Sequence, residues 1–124
     1  GSEMCIRDRP SFTTWIDKMN ESEYNQRVDQ LMFAIEEHIE ASGVDVDFER
    51  SGGLLTLTVE LNASQIILSR QPAMREVWLA DLSGGFHFVC VEGTWASTQG
   101  GELLADRLSY ALLQQAGEAV TFDI

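Results

Sequence analysis

The sequence predicts an α+β protein, a two-layer α-β sandwich in which helices from the N- and C-terminal ends cover one face of an antiparallel sheet. Three observations predict it. Residues 21–41 carry apolar side chains at helical spacing. Residues 44–97 change to period-two alternation, broken by short turns rich in Gly, Asn and Ser, and turns that short join antiparallel neighbours. Residues 102–116 return to helical spacing. An antiparallel sheet flanked by helices at the two ends of a chain packs both helices on one face and leaves the other to water.

The elements follow in order. The first helix spans about Glu21–Ala41, with Tyr24, Val28, Leu31, Met32, Ile35 and Ile39 as one apolar stripe. Asn20 and the first-turn acids Glu21 and Glu23 suit its N-terminus. Ser42-Gly43 ends it, because glycine takes the left-handed cap without strain. The first strand, about Val44–Arg50, alternates Val44, Val46 and Phe48 with Asp45, Asp47 and Glu49. After the turn Ser51-Gly52-Gly53, the second strand, Leu54–Leu61, sends Leu55, Leu57, Val59 and Leu61 inward and Thr56, Thr58 and Glu60 outward. Asn62-Ala63-Ser64 turns into a third strand, Gln65–Arg70, and Pro72 breaks the chain. Three more strands are expected at about Glu76–Asp81, Phe86–Val91 and Thr94–Ser97. The second helix, about Glu102–Ala116, presents Leu104, Leu108, Ala111 and Leu112 to the core, and Val120–Ile124 is expected to fold back on it.

Length and charge set bounds on function. At 124 residues the chain is long enough for one domain with a core of its own. Residues 1–18 differ from the rest. They carry three acids and three bases, so 17 acids, five arginines and the whole net charge of −12 lie in residues 19–124. Residues 1–18 read as a leader or the remnant of an expression tag, with Phe12, Trp15 and Ile16 apolar enough to dock on the domain, and residues 19–124 as the folded unit. A charge of −12 repels nucleic acid and anionic membrane, and suits cations or a basic protein surface. Cys5 and Cys90 supply neither a disulfide framework nor zinc spacing, and Cys90 is expected to be a buried thiol. There is no long apolar run and no signal-peptide pattern, so a reducing cytoplasm is the expected setting.

No catalytic constellation is visible. The glycine pairs punctuate turns, and His38 and His87 are isolated, each expected in a structural or surface role. The acids are the anomaly. Asp29, Glu36 and Glu40 fall on a second stripe beside the apolar one, with Phe33 next to them, and the strand acids Asp45, Asp47 and Glu49 follow at once. Together they read as an acidic ridge across a helix–strand corner. Carboxylate oxygens suit hard cations, and an exposed row without histidine or thiolate binds them weakly and unselectively. From spacing alone the row is either such a cation site or a plain solvated face. Trp78 is the second anomaly. Val77 and Leu79 point to the helices, so Trp78 points to the open face, where it is either a packing residue or a contact site.

Residues 19–124 resemble bacterial frataxin of the CyaY type. The matching stretches are Met19-Asn20-Glu21-Ser22-Glu23, Ile35-Glu36-Glu37, Gly52-Gly53-Leu54-Leu55-Thr56-Leu57-Thr58, Ser69-Arg70-Gln71, Val77-Trp78-Leu79-Ala80, Gly84-Gly85-Phe86-His87-Phe88 and Gln114-Gln115-Ala116-Gly117-Glu118. The resemblance implies an iron-binding adaptor, not an enzyme, that regulates iron–sulfur cluster assembly as a cytoplasmic monomer. It implies weakly bound ferrous or ferric iron along Glu36, Glu37, Glu40, Asp45, Asp47 and Glu49. It also implies docking on the cysteine desulfurase, with the cluster scaffold protein as a further partner, through Asp29, Phe33, Glu36, Glu40, Asp45, Asp47 and Trp78. The sequence departs from the family pattern at Ala41-Ser42-Gly43-Val44, where a longer, aspartate-richer loop is common, and at Ser69, where asparagine is usual. An electrostatic interaction module with incidental metal binding is the alternative.

Overall fold

The structure, a computed structural model, describes residues 20–124. The expectations for the 1–18 segment, for Cys5 and for docking by Phe12, Trp15 and Ile16 lie outside the described residues. Helix α1 (Glu21–Ser42) opens the fold. Six strands follow: β1 (Val46–Ser51), β2 (Leu54–Val59), β3 (Gln65–Gln71), β4 (Glu76–Asp81), β5 (Gly84–Val91) and β6 (Thr94–Ser97). They form one antiparallel sheet in chain order, with a 3-10 turn at Pro72–Met74 between β3 and β4. Helix α2 (Leu104–Ala116) closes the layer.

Local chemistry explains the helix ends. Asn20 caps α1 by accepting from the Glu23 N–H at 2.8 Å, and the Glu23 carboxylate accepts from the Asn20 N–H in return, a capping box. At the other end Gly43 takes φ +74° and its N–H bonds back to the Glu40 carbonyl. Between them the predicted stripe is buried in full, from Tyr24 to Ile39. Each such side chain withdrawn from water contributes about 1.5–3 kcal/mol.

Both helices lie on the same side of the sheet. Leu55, Leu57, Val59, Ile66, Leu68, Val77, Leu79, Phe88 and Cys90 of the strands pack into one core with the α1 stripe and with Leu104, Leu108, Ala111 and Leu112 of α2. Val120 and Phe122 are buried in that core too, so the C-terminal tail does fold back. His38 holds it there: its Nε2 accepts the Asp123 N–H at 3.3 Å while Nδ1 faces the Ala34 carbonyl at 2.7 Å. That pattern needs the neutral Nδ1–H tautomer, a structural role for this histidine.

Three expectations are corrected. β1 begins at Val46, not Val44, because the Val46 N–H bonds to the Val44 carbonyl at 2.8 Å in a tight turn after the Gly43 cap. Leu61 does not point inward: it is 78% exposed, because β2 ends at Val59 and the turn already begins at Glu60. Helix α2 begins at Leu104, not Glu102, because the Glu102 carbonyl accepts from the Ser97 N–H at 2.7 Å and Leu103 still bridges Ala96.

Candidate functional site: an acidic corner and an aromatic sheet face

Register decides which acids meet. Val46 pairs with Val59, Asp47 with Thr58 and Glu49 with Thr56 across β1–β2. Residues directly opposite share a face, so Asp45, Asp47 and Glu49 stand on the open side. Continuing the pairing sets Glu60 against Asp45, and the Glu60 N–H donates to the Asp45 carbonyl at 3.0 Å. The Asp47 carboxyl, as a hydrogen-bond partner for the protonated form and then as a like charge, raises the Glu60 pKa above the ordinary 4.5, and the Asp45 charge adds to this. The sequence reading placed Glu60 outward but not among the site residues. Counting back from the tight turn at Gly52-Gly53 would have found it, since that turn fixes the β1–β2 register.

The helical acids divide into two groups. Arg50, at the end of β1, reaches over the helix-side face and grips Glu36 with two hydrogen bonds, Nε to Oε2 at 2.9 Å and an Nη to Oε1 at 3.2 Å. Arg70 of β3 bonds Asp29 and also the Asn25 side chain, the latter at 2.9 Å. Asp29 and Glu36 thus fasten α1 to the sheet, and their charges are matched. Glu37, Glu40, Asp45, Asp47, Glu49 and Glu60 are different: no arginine among the described residues pairs with any of them. Six unmatched acids therefore gather at the end of α1 and along β1 and the end of β2. Among the described residues no three His, Cys, Asp or Glu side chains converge as a cage for a metal ion. The oxygen donors present fit coordination by one or two carboxylates with water completing the shell. Between Ile39, Glu40 and Val44 on one side and Val46, Asp47 and Phe48 on the other runs an open groove of about 390 Å³. Phe33 stands beside the helical acids, 54% exposed.

Trp78 does face the open side, as expected. It sits in a cross-strand row with Ser69 and His87. Its ring stacks on His87 at 4.2 Å with an interplanar angle of 6°, and its Nε1–H donates to the Glu76 carboxylate at 2.7 Å. Trp78 is half-buried and fixed in orientation. Three strand spacings separate β4 from β1, roughly 14 Å. Trp78 and the strand acids share one broad face without touching. Cys90 is buried, 1% exposed, with an Arg27 Nη 3.9 Å from its sulfur. No described helix is long and apolar enough to cross a membrane.

Comparison with known proteins gives these features a context. The sequence pattern of the Frataxin-like domain matches residues 17–118. The chain is 45% identical over 102 residues to the iron-sulfur cluster assembly protein CyaY of Vibrio parahaemolyticus, covering 82% of this chain and 97% of that one. It is 44% identical over 102 residues to the CyaY of Paraburkholderia phymatum, covering 82% and 96%. Among solved structures, the frataxin of Psychromonas ingrahamii superposes with a TM-score of 0.81 at 42% identity, over 86% of this chain and 100% of that one. A trimeric yeast frataxin complexed with ferrous iron superposes with a TM-score of 0.59 at 26% identity, over 91% and 96%.

Proposed function

The chain belongs to the frataxin family, and from that premise we propose that it is an adaptor of iron–sulfur cluster assembly, docking on the pathway's cysteine desulfurase through its acidic corner and binding iron there weakly. It acts as a cytoplasmic monomer and regulates the desulfurase without being an enzyme itself, and the cluster scaffold protein is its further partner. The observation that carries this reading is the segregation of charge. The arginines Arg50 and Arg70 neutralise Glu36 and Asp29, while Glu37, Glu40, Asp45, Asp47, Glu49 and Glu60 are left to face outward. A surface patterned this way complements a basic partner, raising the association rate and rejecting wrong partners.

Iron enters the reading as cargo. Ferrous or ferric iron would be held by Glu37, Glu40, Asp45, Asp47 and Glu49, with Glu36 available when it leaves Arg50. The crowding of Glu60 by Asp47 and Asp45, which raises the Glu60 pKa, marks a place where a cation relieves repulsion. The lack of three converging ligands among the described residues favours protein docking as the main role, with metal binding secondary. Trp78, with Phe33, supplies apolar contact rather than charge.

Binding of the purified protein to its desulfurase, measured at low and high ionic strength, tests this. Glu40→Lys with Asp47→Lys removes attraction and adds repulsion, and should weaken low-salt binding by at least about tenfold. Trp78→Ala should weaken it through lost buried contact, and so by a similar factor at both ionic strengths. Unchanged low-salt binding of the double variant would remove the acidic corner from the interface.

A further inference from the structure

The acids of β1 draw attention from its backbone. β1 is an edge strand, paired on one side only, with β2. The hydrogen bond from the Glu60 N–H to the Asp45 carbonyl fixes the parity of the ladder. Asp45, Asp47 and Glu49 spend their backbone groups on β2, so those of Val46, Phe48 and Arg50 point away from the sheet. The Val46 N–H is taken by the Val44 carbonyl. What is left is a row of two donors, the N–H groups of Phe48 and Arg50, and three acceptors, the carbonyls of Val46, Phe48 and Arg50. No described residue pairs with them.

The side chains along this edge alternate in chemistry. Toward the helix opens the groove of about 390 Å³, with Ile39, Val44, Val46 and Phe48 in its wall and Glu40 and Asp47 at its rim. On the open side stand Asp47 and Glu49. We infer that β1 is a docking edge for an extended peptide segment of alternating basic and apolar residues, which joins the sheet as a seventh, antiparallel strand. This rests on the adaptor reading and specifies what the acidic corner would recognise. Residues of the added strand opposite Val46, Phe48 and Arg50 share their hydrogen bonds and their face; those opposite Val46 and Phe48 are the apolar ones and fill the groove, and the one opposite Arg50 lies beside the Arg50–Glu36 pair. Residues opposite Asp47 and Glu49 lie on the open face, so these are lysine or arginine. Main-chain bonding holds such a strand and the alternate side chains select it. A second copy of this chain is a poor occupant. Antiparallel pairing of two β1 strands sets Asp47 and Glu49 against the same acids, and like charges directly opposite destabilise a pair.

The test uses the full chain and a short capped peptide of alternating lysine and valine. On titration, the Phe48 and Arg50 amides should become protected from hydrogen exchange, with chemical-shift changes centred on β1. N-methylation of the valines removes the donors that face β1 and should weaken binding about tenfold or more. N-methylation of the lysines, whose N–H groups face outward, should leave it within a small factor. Equal binding of the two methylated peptides would mean that charge alone is recognised, and would overturn the added strand. Protection of Phe48 and Arg50 in the free protein that grows with protein concentration would mean that a second copy covers the edge, and would overturn it as well. Neither result touches the adaptor reading, which falls only if the Glu40→Lys, Asp47→Lys variant keeps its low-salt affinity for the desulfurase.

Discussion

The carboxyl groups of Glu60 and Asp47 are neighbours on the open face, where a hydrogen bond between them forms only while one keeps a proton. That bond first, then the charge of Asp47, holds the Glu60 pKa above its ordinary 4.5. A carboxyl raised in the folded state contributes stability that is fully present below its unfolded pKa and is lost as pH rises through the folded one. Glu60→Gln keeps a hydrogen-bonding group and discards the charge. It should melt above the unaltered protein at neutral pH, and the gap should close as pH falls into the ordinary glutamate range. Thermal melts of the two proteins across that range check it; a gap that widens on acidification would mean the Asp47–Glu60 contact is absent. The sequence exposed the acids of the corner but not their partners. Nothing local to Glu36 or Asp29 announces Arg50 or Arg70, which are 14 and 41 residues away and reach them only through the tertiary crossing of helix over sheet. The stripe of Asp29, Glu36 and Glu40 therefore looked uniform on a helical wheel, while the fold neutralises two of its members and leaves Glu40 bare.

Helix α1 is fixed to the sheet at its first turn by Tyr24 as well as by its apolar stripe. The buried Tyr24 hydroxyl donates to the Glu76 carbonyl and accepts the Gln71 N–H at 2.8 Å, closing the β3–β4 connection. Tyr24→Phe keeps the ring and leaves both backbone groups without that partner. The expected cost is about 1–3 kcal/mol, read as a lower urea midpoint at an unchanged slope. Burial raises the phenol above its ordinary 10.0, so its contribution is lost only in alkali and the cost should be flat across neutral pH. A Phe variant as stable as the parent would show that water satisfies these groups. The period-3.6 and period-2 patterns located both helices and all six strands, because one-sided burial is what writes them. β4 and β6 even keep their predicted bounds. The errors fall where backbone hydrogen bonding overrides side-chain pattern. Leu61 continued an apolar alternation, but the Val59 N–H bonds to the Ser64 carbonyl and Ala63 takes φ +62°, which turns the chain before Leu61 can enter the core. Glu102 looked helical, but its carbonyl belongs to β6. β1 lost Val44 and Asp45 to a turn that hydrophobicity alone does not register, although Val44 is still buried.

Across the whole molecule the five arginines of residues 20–124 are drawn to contacts within the body of the fold. Arg50 and Arg70 clamp α1, and Arg107 of α2 lies over Phe86 and beside Asp81 and Glu102. Arg27 approaches Cys90, and Arg75 lies over the Tyr24 ring. Residues 20–124 thus keep their few arginines inward and their excess acid outward, with six of the unmatched acids, Glu37, Glu40, Asp45, Asp47, Glu49 and Glu60, gathered at one corner. Like charges on that corner repel over a screening length of about 8–10 Å at moderate ionic strength. They are closer than that within the Asp45, Asp47 and Glu60 group, where the two aspartates raise the Glu60 pKa. Salt must therefore stabilise this fold rather than weaken it, even though it also screens the Arg50–Glu36 and Arg70–Asp29 pairs. Those pairs are partly exposed, and such pairs are worth at most about 1 kcal/mol each. The melting temperature should rise from low to moderate sodium chloride. Millimolar manganese or magnesium at the same ionic strength should raise it further, because a ligand that binds only the folded state adds stability as the logarithm of one plus the ratio of its concentration to its dissociation constant, about 2.7 kcal/mol at a hundredfold excess. The increment specific to divalent ions should disappear in the Glu40→Lys, Asp47→Lys variant, while the sodium effect should shrink with the net charge. A melting temperature that stays flat in salt would mean the outward acids are too well solvated to strain the fold, and a divalent increment that survives the double variant would put the cation somewhere other than the corner of α1 and β1.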